Sequence, residues 1–218
     1  MATPVVLELM GAPGSGKTTV ARRLEDEPGL VVVKDHEIGD LPVLLRGLLT
    51  ALPVLGADPG LGISRVRWAA WAGRVAAAPD VVGRRLHRGA RLVVLDQGPA
   101  YTLGRMASAR RSPAVTTWWE ERLRSCADLL GGVVLLDADA ATLRDRVRAR
   151  PKHHAARDLA AEAALTMLQE EREGCREMAE QLERRGVPVV RMDTTSINVD
   201  GQLRALRDIL FGQPSADA

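Results

Sequence analysis

Residues 5–19 carry the sequence VVLELMGAPGSGKTT, in which an apolar run leads directly into a glycine-rich turn. Within it, Gly11–Thr18 matches the pattern G-x-x-x-x-G-K-[ST] at every specified position. Glycines let the backbone turn sharply and bring its N–H groups close around phosphate oxygens. A helix that starts near Lys17 would point its positive end at the same anion. The stretch therefore predicts a strand, a phosphate-binding loop and a helix in succession.

Two side chains at the end of this loop suit a nucleoside triphosphate bound with Mg²⁺. The Lys17 ammonium can reach the β- and γ-phosphates, and the Thr18 hydroxyl can ligate the metal. A glycine-rich turn with a surface lysine is the alternative, but the strand before the loop and the helix after it favour a nucleotide site. The predicted nucleotide-binding residues are Gly11, Ala12, Pro13, Gly14, Ser15, Gly16, Lys17, Thr18 and Thr19.

Five short apolar runs are spaced along the chain, and helical patterns separate most of them. Each run is rich in Val and Leu and is continuous, which is typical of strands buried on both faces of a parallel sheet. Helical patterns include Thr18–Glu25 and the face marked by Leu168, Cys175 and Leu182. Strands that alternate with helices predict an α/β fold. The five runs are Val5–Met10, Leu30–Val33, Arg91–Leu95, Val133–Leu136 and Val187–Met192.

The composition is that of an ordinary globular protein of 218 residues, which is the size of one domain. Hydrophobic residues make up 46% and charged residues 27%, and these values exclude a disordered chain. The formal net charge of +2 is too small to favour a nucleic-acid partner. We place a single domain at residues 1–212 and a frayed tail at residues 213–218.

Signals for a membrane, a structural metal or export are weak. No run of about 18 apolar residues is present, so we expect no membrane span. Cys126 and Cys175 lie outside any zinc-binding pattern, and His153 and His154 have no third ligand nearby. The first residues lack the basic start and long apolar core of a signal peptide. We therefore expect a reduced, cytoplasmic protein.

Residues 36–90 interrupt the alternation, because two helical patterns, Leu41–Leu52 and Gly62–Ala78, occur there without a clear strand. The segment is longer than one crossover helix needs. We predict a helical insertion on the acceptor side of a substrate cleft, and a plain crossover packed on the sheet is the alternative. Trp68 and Trp71 lie three residues apart and either stack on a flat acceptor or pack against the sheet.

The loop and the order of the elements resemble the P-loop kinases of the nucleoside- and nucleotide-monophosphate kinase class. That class includes small-molecule kinases such as shikimate kinase, gluconate kinase and chloramphenicol phosphotransferase. The resemblance covers nearly the whole chain, although only the loop is a specific match. It implies a three-layer α/β/α P-loop NTPase fold with a parallel five-stranded sheet of order 2-3-1-4-5. It also implies ATP, Mg²⁺ and a small arginine-bearing lid, here at residues 150–158.

The third apolar run ends in Leu95-Asp96-Gln97, at the sheet edge where ligands collect in parallel folds. This place is similar to the Asp-Arg signature of thymidylate kinases, which implies that Asp96 holds the magnesium shell through water or contacts the acceptor. Gln97 replaces the family's arginine, which contacts substrate phosphate, and this departure argues against thymidylate as the substrate. A strand-end turn residue is the other interpretation of Asp96.

A second carboxylate follows the second apolar run, in Val33-Lys34-Asp35-His36-Glu37. In the small-molecule kinases that the chain resembles, an aspartate near this place can take the proton of the acceptor hydroxyl. A carboxylate suits that role because it aligns the hydroxyl and accepts the proton late. Asp35 is therefore the candidate base, with His36 and Glu37 as rivals and a solvated turn as the alternative.

Arg146 and Arg150 lie four residues apart after the fourth apolar run. The resemblance implies two arginines at this spacing on the way into the lid. Positions i and i+4 share a helix face, so both guanidinium groups can point into the cleft. A guanidinium stays charged at all ordinary pH values, forms bidentate hydrogen bonds with phosphate oxygens and stabilises a phosphoryl group during transfer. An arginine-rich solvated helix is the alternative.

Together these features predict an ATP- and Mg²⁺-dependent phosphotransferase that acts on a small-molecule acceptor, such as a nucleoside, a nucleotide or another hydroxyl metabolite. The alternatives are an ATPase or nucleotide switch and a polynucleotide end kinase. An ATPase is disfavoured because Gln97 follows Asp96 in place of a second acid, and the guanine-reading N/T-K-x-D motif of GTPases is absent. The predicted catalytic residues are Lys17, Asp35, Asp96, Arg146 and Arg150, with Thr18 and Asp96 at the metal.

Overall fold

The computed structural model describes residues 5–34, 65–106, 113–150 and 154–196, together with isolated positions within 45–52 and 200–206. All five predicted apolar runs form strands, and their ends differ from the prediction by at most two residues. The strands are β1 (Val5–Met10), β2 (Leu30–Lys34), β3 (Leu92–Asp96), β4 (Gly132–Asp137) and β5 (Val189–Asp193). The helices are α1 (Lys17–Leu24), α2 (Arg65–His87), α3 (Pro99–Arg105), α4 (Pro113–Leu129), α5 (Ala140–Ala149), α6 (Ala155–Asp158) and α7 (Ala161–Glu183).

The five strands form one parallel sheet in the order β2-β3-β1-β4-β5, which confirms the predicted topology. β1 lies in the centre, where Leu7 is in register with Val94 of β3 on one side and with Gly132 of β4 on the other. β2 and β3, which follow β1 in the chain, lie on one side of it, and β4 and β5 lie on the other, so the carboxyl end of β1 is a topological switch point. Ligands bind in the crevice at such points, and the glycine-rich loop follows β1 directly.

Helices cover both faces of the sheet and give the three layers of the predicted α/β/α fold. On one face, strand residues such as Val93 pack with side chains of α2, α3, α4 and α7, including Trp119. On the other face, Val94 packs with Val20 of α1 and with Leu203, one of the isolated described positions after β5. Because both faces of the three central strands β1, β3 and β4 are buried, these strands are mainly apolar and do not alternate with polar residues.

The inserted region after β2 is described only in part. α2 extends to His87 and is therefore longer than the helix predicted over Gly62–Ala78. Trp68 is fully buried, and its ring centre lies 5.1 Å from that of Trp118, so Trp68 packs in the core as its second interpretation held. Asp35, with its rivals His36 and Glu37, lies outside the described residues.

The structure also describes both cysteines and the helices long enough to be considered as membrane spans. Cys126 and Cys175 are both free thiols buried in the core. Within the described ranges, no helix is both long enough and apolar enough to cross a bilayer.

Candidate nucleotide and acceptor site

The glycine-rich loop between β1 and α1 has the backbone geometry that its sequence predicts. Gly11, Gly14 and Gly16 have φ angles of 147°, 90° and 99°, a region that glycine enters without steric cost. A Cβ on Gly11 would lie 2.2 Å from the carbonyl oxygen of Leu136, and one on Gly14 would lie 2.8 Å from that of Leu143. The loop packs directly on the end of β4 and on α5, and this contact leaves no room for side chains at these glycines.

α1 presents its positive end to the space that the loop encloses. The helix begins at Lys17, its N-cap residue Gly16 makes no side-chain hydrogen bond, and its first turn holds no acidic residue. The helix dipole at this end is therefore available to an anion. Ser15 is buried in the loop, whereas Thr18 and Thr19 are exposed, so their hydroxyl groups face solvent at the helix start.

The Lys17 ammonium lies over the loop and is held by its carbonyl groups. Its Nζ donates hydrogen bonds to the carbonyl oxygens of Gly11 at 2.6 Å and Ala12 at 3.0 Å, and to Oγ of Ser15 at 3.4 Å. Burial lowers the pKa of Lys17, and attraction by nearby acidic groups such as Asp96 opposes this effect. The loop thus holds a buried amine where its backbone N–H groups can surround a phosphate.

Asp96 lies at the carboxyl end of β3, beside the loop. Its side chain is only 6% exposed and attracts the Lys17 ammonium. The buried Asp96 carboxylate and the exposed Thr18 hydroxyl are oxygen donors of the kind that Mg²⁺ prefers, so the residues fit a magnesium–nucleotide complex. In the described part of the chain no group of three His, Cys, Asp or Glu side chains could hold a metal by itself. Phosphate and water oxygens would have to complete the coordination.

The segment after β3 is held in place by Glu8, a carboxyl group buried in the middle of β1. Its oxygens accept hydrogen bonds from the backbone N–H groups of Ala100 at 3.0 Å and Tyr101 at 2.7 Å. Burial raises the pKa of Glu8 to about 7, and these hydrogen bonds limit the rise. Glu8 thereby holds the start of α3, and the Tyr101 ring centre lies 5.3 Å from the Lys17 ammonium.

The two predicted lid arginines have different surroundings. Arg146 donates hydrogen bonds to the carbonyl oxygen of Thr194 at 2.7 Å and to its Oγ1 at 3.3 Å, which ties α5 to the end of β5. Arg150 is the C-cap residue of α5, and its ψ angle of 150° turns the chain out of the helix after this residue. Arg150 nevertheless interacts electrostatically with Lys17 and Glu171, which places it beside the loop.

A cavity of about 540 Å³ opens next to the loop. Its walls come from Met10 at the end of β1, Trp71 of α2, Tyr101 and Arg105 of α3, and a stretch of α7 that includes Glu171. The cavity adjoins the phosphate-binding loop because Tyr101 contacts the Lys17 ammonium and Glu171 attracts it. Its volume is typical of a site for a small organic molecule.

Comparison with protein families places this site within a known domain. A family model described as an AAA domain matches residues 6–175, from β1 into α7. The chain belongs to this AAA domain family. The matched region contains the loop, Asp96, both lid arginines and most of the cavity wall.

The fold of the AAA domain is shared with a solved nucleoside kinase. The structure of deoxyadenosine kinase from M. mycoides with bound dCTP matches with a TM-score of 0.60 and 13% sequence identity. The match covers 96% of this chain and 100% of that one, and at this identity it shows the fold. No curated protein matches the chain in sequence. The predicted resemblance to P-loop kinases of the nucleoside and nucleotide class is confirmed.

The AAA domain brings together Lys17, Asp96 and Arg150 from distant parts of the chain. Sequence reasoning did not identify two further carboxyl groups near them. Glu8 had a recognisable signal, because it is the only charged residue in the apolar run of β1. Glu171 had none, because it lies among several glutamates of α7 and only the tertiary packing distinguishes it.

Proposed function

We propose that this AAA domain is an ATP- and Mg²⁺-dependent phosphotransferase that moves the γ-phosphate to a small molecule, such as a nucleoside, a nucleotide or another hydroxyl metabolite. The observation that carries the proposal is the cavity beside Lys17. A phosphotransferase must hold a second substrate next to the phosphate loop, whereas an ATPase or a switch needs no such space. The proposal takes residues 1–212 as one domain, with residues 36–90 on the acceptor side, acting in the cytoplasm where ATP is present.

Three groups would act on the transferring phosphate. Lys17 binds the β- and γ-phosphates and offsets the charge that develops during transfer. Mg²⁺, when bound, would be held through Thr18 and Asp96 and would neutralise part of the phosphate charge. Arg150, which interacts with Lys17, supplies a permanent cation at the same place. Arg146 is assigned a positioning role, because its bonds to Thr194 hold the helix that leads to Arg150.

The acceptor hydroxyl needs a carboxylate that aligns it and takes its proton late in the transfer. Asp96 and Asp35 are the two candidates. Lys34 at the end of β2 is in register with Asp96, so Asp35 follows directly on the strand that neighbours β3. Lys34 itself pairs with Glu25 at 2.6 Å.

The test is ADP release by the pure protein with ATP and Mg²⁺, with and without pooled nucleosides, nucleotides, sugars and small alcohols. The proposal predicts release that depends on an acceptor, and equal release without any acceptor would favour an ATPase instead. Lys17→Ala should lower the rate by about a hundredfold or more, in line with single electrostatic contributions at active sites. Arg22→Ala, which removes an exposed cation from the same helix, is the matched control and should leave the rate unchanged.

Two further variants distinguish the carboxylates. Asp35→Asn and Asp96→Asn should both lower turnover, but only the residue that acts as base should do so with ATP affinity nearly intact. The residue that supports the metal should lose ATP affinity in the presence of Mg²⁺. Calorimetric titration with ATP, alongside the rate measurement, separates the two effects.

A further inference from the structure

The cavity next to the loop has a strongly acidic wall. Four of its lining side chains are glutamates of α7, and Arg105 of α3 is the one cation among the lining residues that the structure describes. None of the four glutamates pairs with a cation within 4 Å in the described part of the chain. Such a wall attracts a cation and repels a phosphate group. The four are Glu170, Glu171, Glu173 and Glu177.

Glu171 lies deepest of these, and one of its oxygens lacks a partner. Oε2 of Glu171 is buried and accepts no hydrogen bond from the described residues. A buried carboxylate oxygen without a donor is costly, and native proteins nearly always satisfy such groups. Burial raises the pKa of Glu171, while Arg105, Lys17 and Arg150 attract its charge and oppose the rise. Because Glu171 lines the cavity, a ligand with an N–H or O–H group can supply the missing donor.

The aromatic part of the wall also suits a cation. The guanidinium of Arg105 lies 4.9 Å from the ring centre of Trp71 and 5.9 Å from that of Tyr101. These distances are in the range of cation–π attraction, so both rings already interact with a positive charge at the edge of the cavity. The same rings offer flat apolar surface to the body of a small molecule.

We infer that the acceptor is a cationic alcohol, that is, a hydroxyl compound with a protonated amine. Its ammonium group would donate to Glu171 and lie against the acidic wall, and its carbon frame would pack on Trp71 and Tyr101. The inference rests on the proposed phosphotransferase function and narrows it, because the same wall disfavours nucleotides. In the transfer, the acceptor oxygen bonds to the γ-phosphorus as the bridging oxygen leaves with ADP. The hydroxyl proton passes to Asp96 or Asp35.

Binding is tested with matched compounds that differ in charge. Calorimetric titrations would use glucosamine and ethanolamine as amines, glucose and ethylene glycol as neutral partners, and glucose 6-phosphate and thymidine monophosphate as anions. The inference predicts that an amine of the panel binds at least about tenfold tighter than its neutral partner, as expected for a charge-assisted hydrogen bond. Equal binding of amine and neutral partner, tighter binding of the phosphates, or no binding of either amine would overturn it.

Two variants of α7 locate the effect. Glu171→Gln keeps the size of the side chain but removes its charge, and it should abolish most of the preference for amines. Glu180→Gln removes an exposed carboxylate from the same helix outside the cavity and should retain the preference. A preference that survives in Glu171→Gln would contradict the assignment of this residue. Circular dichroism of each variant confirms that the fold is intact.

ADP release with the same panel separates this inference from the function on which it rests. Release stimulated by an amine, and much less by its neutral partner, supports both. Release stimulated equally by neutral or phosphorylated acceptors overturns the charge preference and leaves the phosphotransferase standing. Amine binding without stimulated release from any compound overturns the phosphotransferase but keeps the cation site.

Discussion

Replacing Glu8 with glutamine removes a buried carboxyl group from the middle of β1 and keeps the size of the side chain. Burial raises the pKa of Glu8 from 4.5 to about 7, so between these pH values the folded protein holds a proton that the unfolded chain has released. The contribution of Glu8 to the stability of the folded protein is therefore most favourable below pH 4.5 and is lost as the pH rises through 7. At about 1.4 kcal/mol per pH unit, the wild type should lose roughly 3 kcal/mol relative to the variant across this window.

The measurement is urea unfolding of both proteins at several pH values through this window. In the variant, the glutamine amide turns its NH₂ group toward the backbone N–H groups of Ala100 and Tyr101, where two donors face each other. This contact destabilises the variant by an amount that does not change with pH. The pH dependence of the difference in unfolding free energy between the two proteins therefore reports the titration of Glu8. Glu121→Gln, at an exposed position of α4, controls for the loss of one carboxylate. If the difference stayed constant with pH, the prediction would be wrong, because Glu8 would then carry the same charge in the folded and the unfolded protein.

Three further predictions concern the loop, the end of β4 and the lid. Gly11→Ala should abolish ATP binding in calorimetry, because its Cβ would lie 2.2 Å from the carbonyl oxygen of Leu136; normal affinity would show that the loop can rearrange. Burial alone would raise the pKa of Asp137, but hydrogen bonds from its ion-pair partners Arg172 and Arg176 lower it overall. The stability advantage of wild type over Asp137→Asn in urea unfolding should therefore shrink as the pH falls below about 4, and an advantage that persists there would contradict the ion pairs. Arg150→Ala should lower turnover by at least about tenfold with the fold intact, while Arg148→Ala, at an exposed position, should not; equal effects would place the catalytic cation elsewhere.

The sheet could be predicted because its signals are local. A parallel strand covered on both faces needs mainly apolar residues, as Val133–Leu136 shows and as Val5–Met10 shows with Glu8 as its one charged residue. The loop could be predicted because its backbone requires glycine at φ angles that other residues rarely adopt, as at Gly14 and Gly16. In both cases, the physical requirement acts on neighbouring residues and therefore leaves a pattern in the sequence.

The cavity could not be predicted in the same way, because its walls come from elements far apart in the chain. Glu171 meets Lys17 only after α7 packs against the sheet, and nothing in its neighbourhood on α7 marks it. The spacing of Arg146 and Arg150 predicts two similar arginines, but Arg146 is bound to Thr194 whereas Arg150, the C-cap residue of α5, interacts with Lys17 and Glu171. Trp68 and Trp71 lie three residues apart, and the sequence does not distinguish their roles. Trp68 is buried in the core, whereas Trp71 lines the cavity.

Under the proposed function, the γ-phosphate leaves this protein attached to a small molecule. The decisive measurement follows ³²P from γ-labelled ATP in the presence of Mg²⁺ and pooled acceptors, with products separated by chromatography. We predict label in a new small-molecule product, and none with Lys17→Ala. Label found only in inorganic phosphate, at a rate that acceptors do not change, would show that the protein hydrolyses ATP and transfers no phosphate to an acceptor.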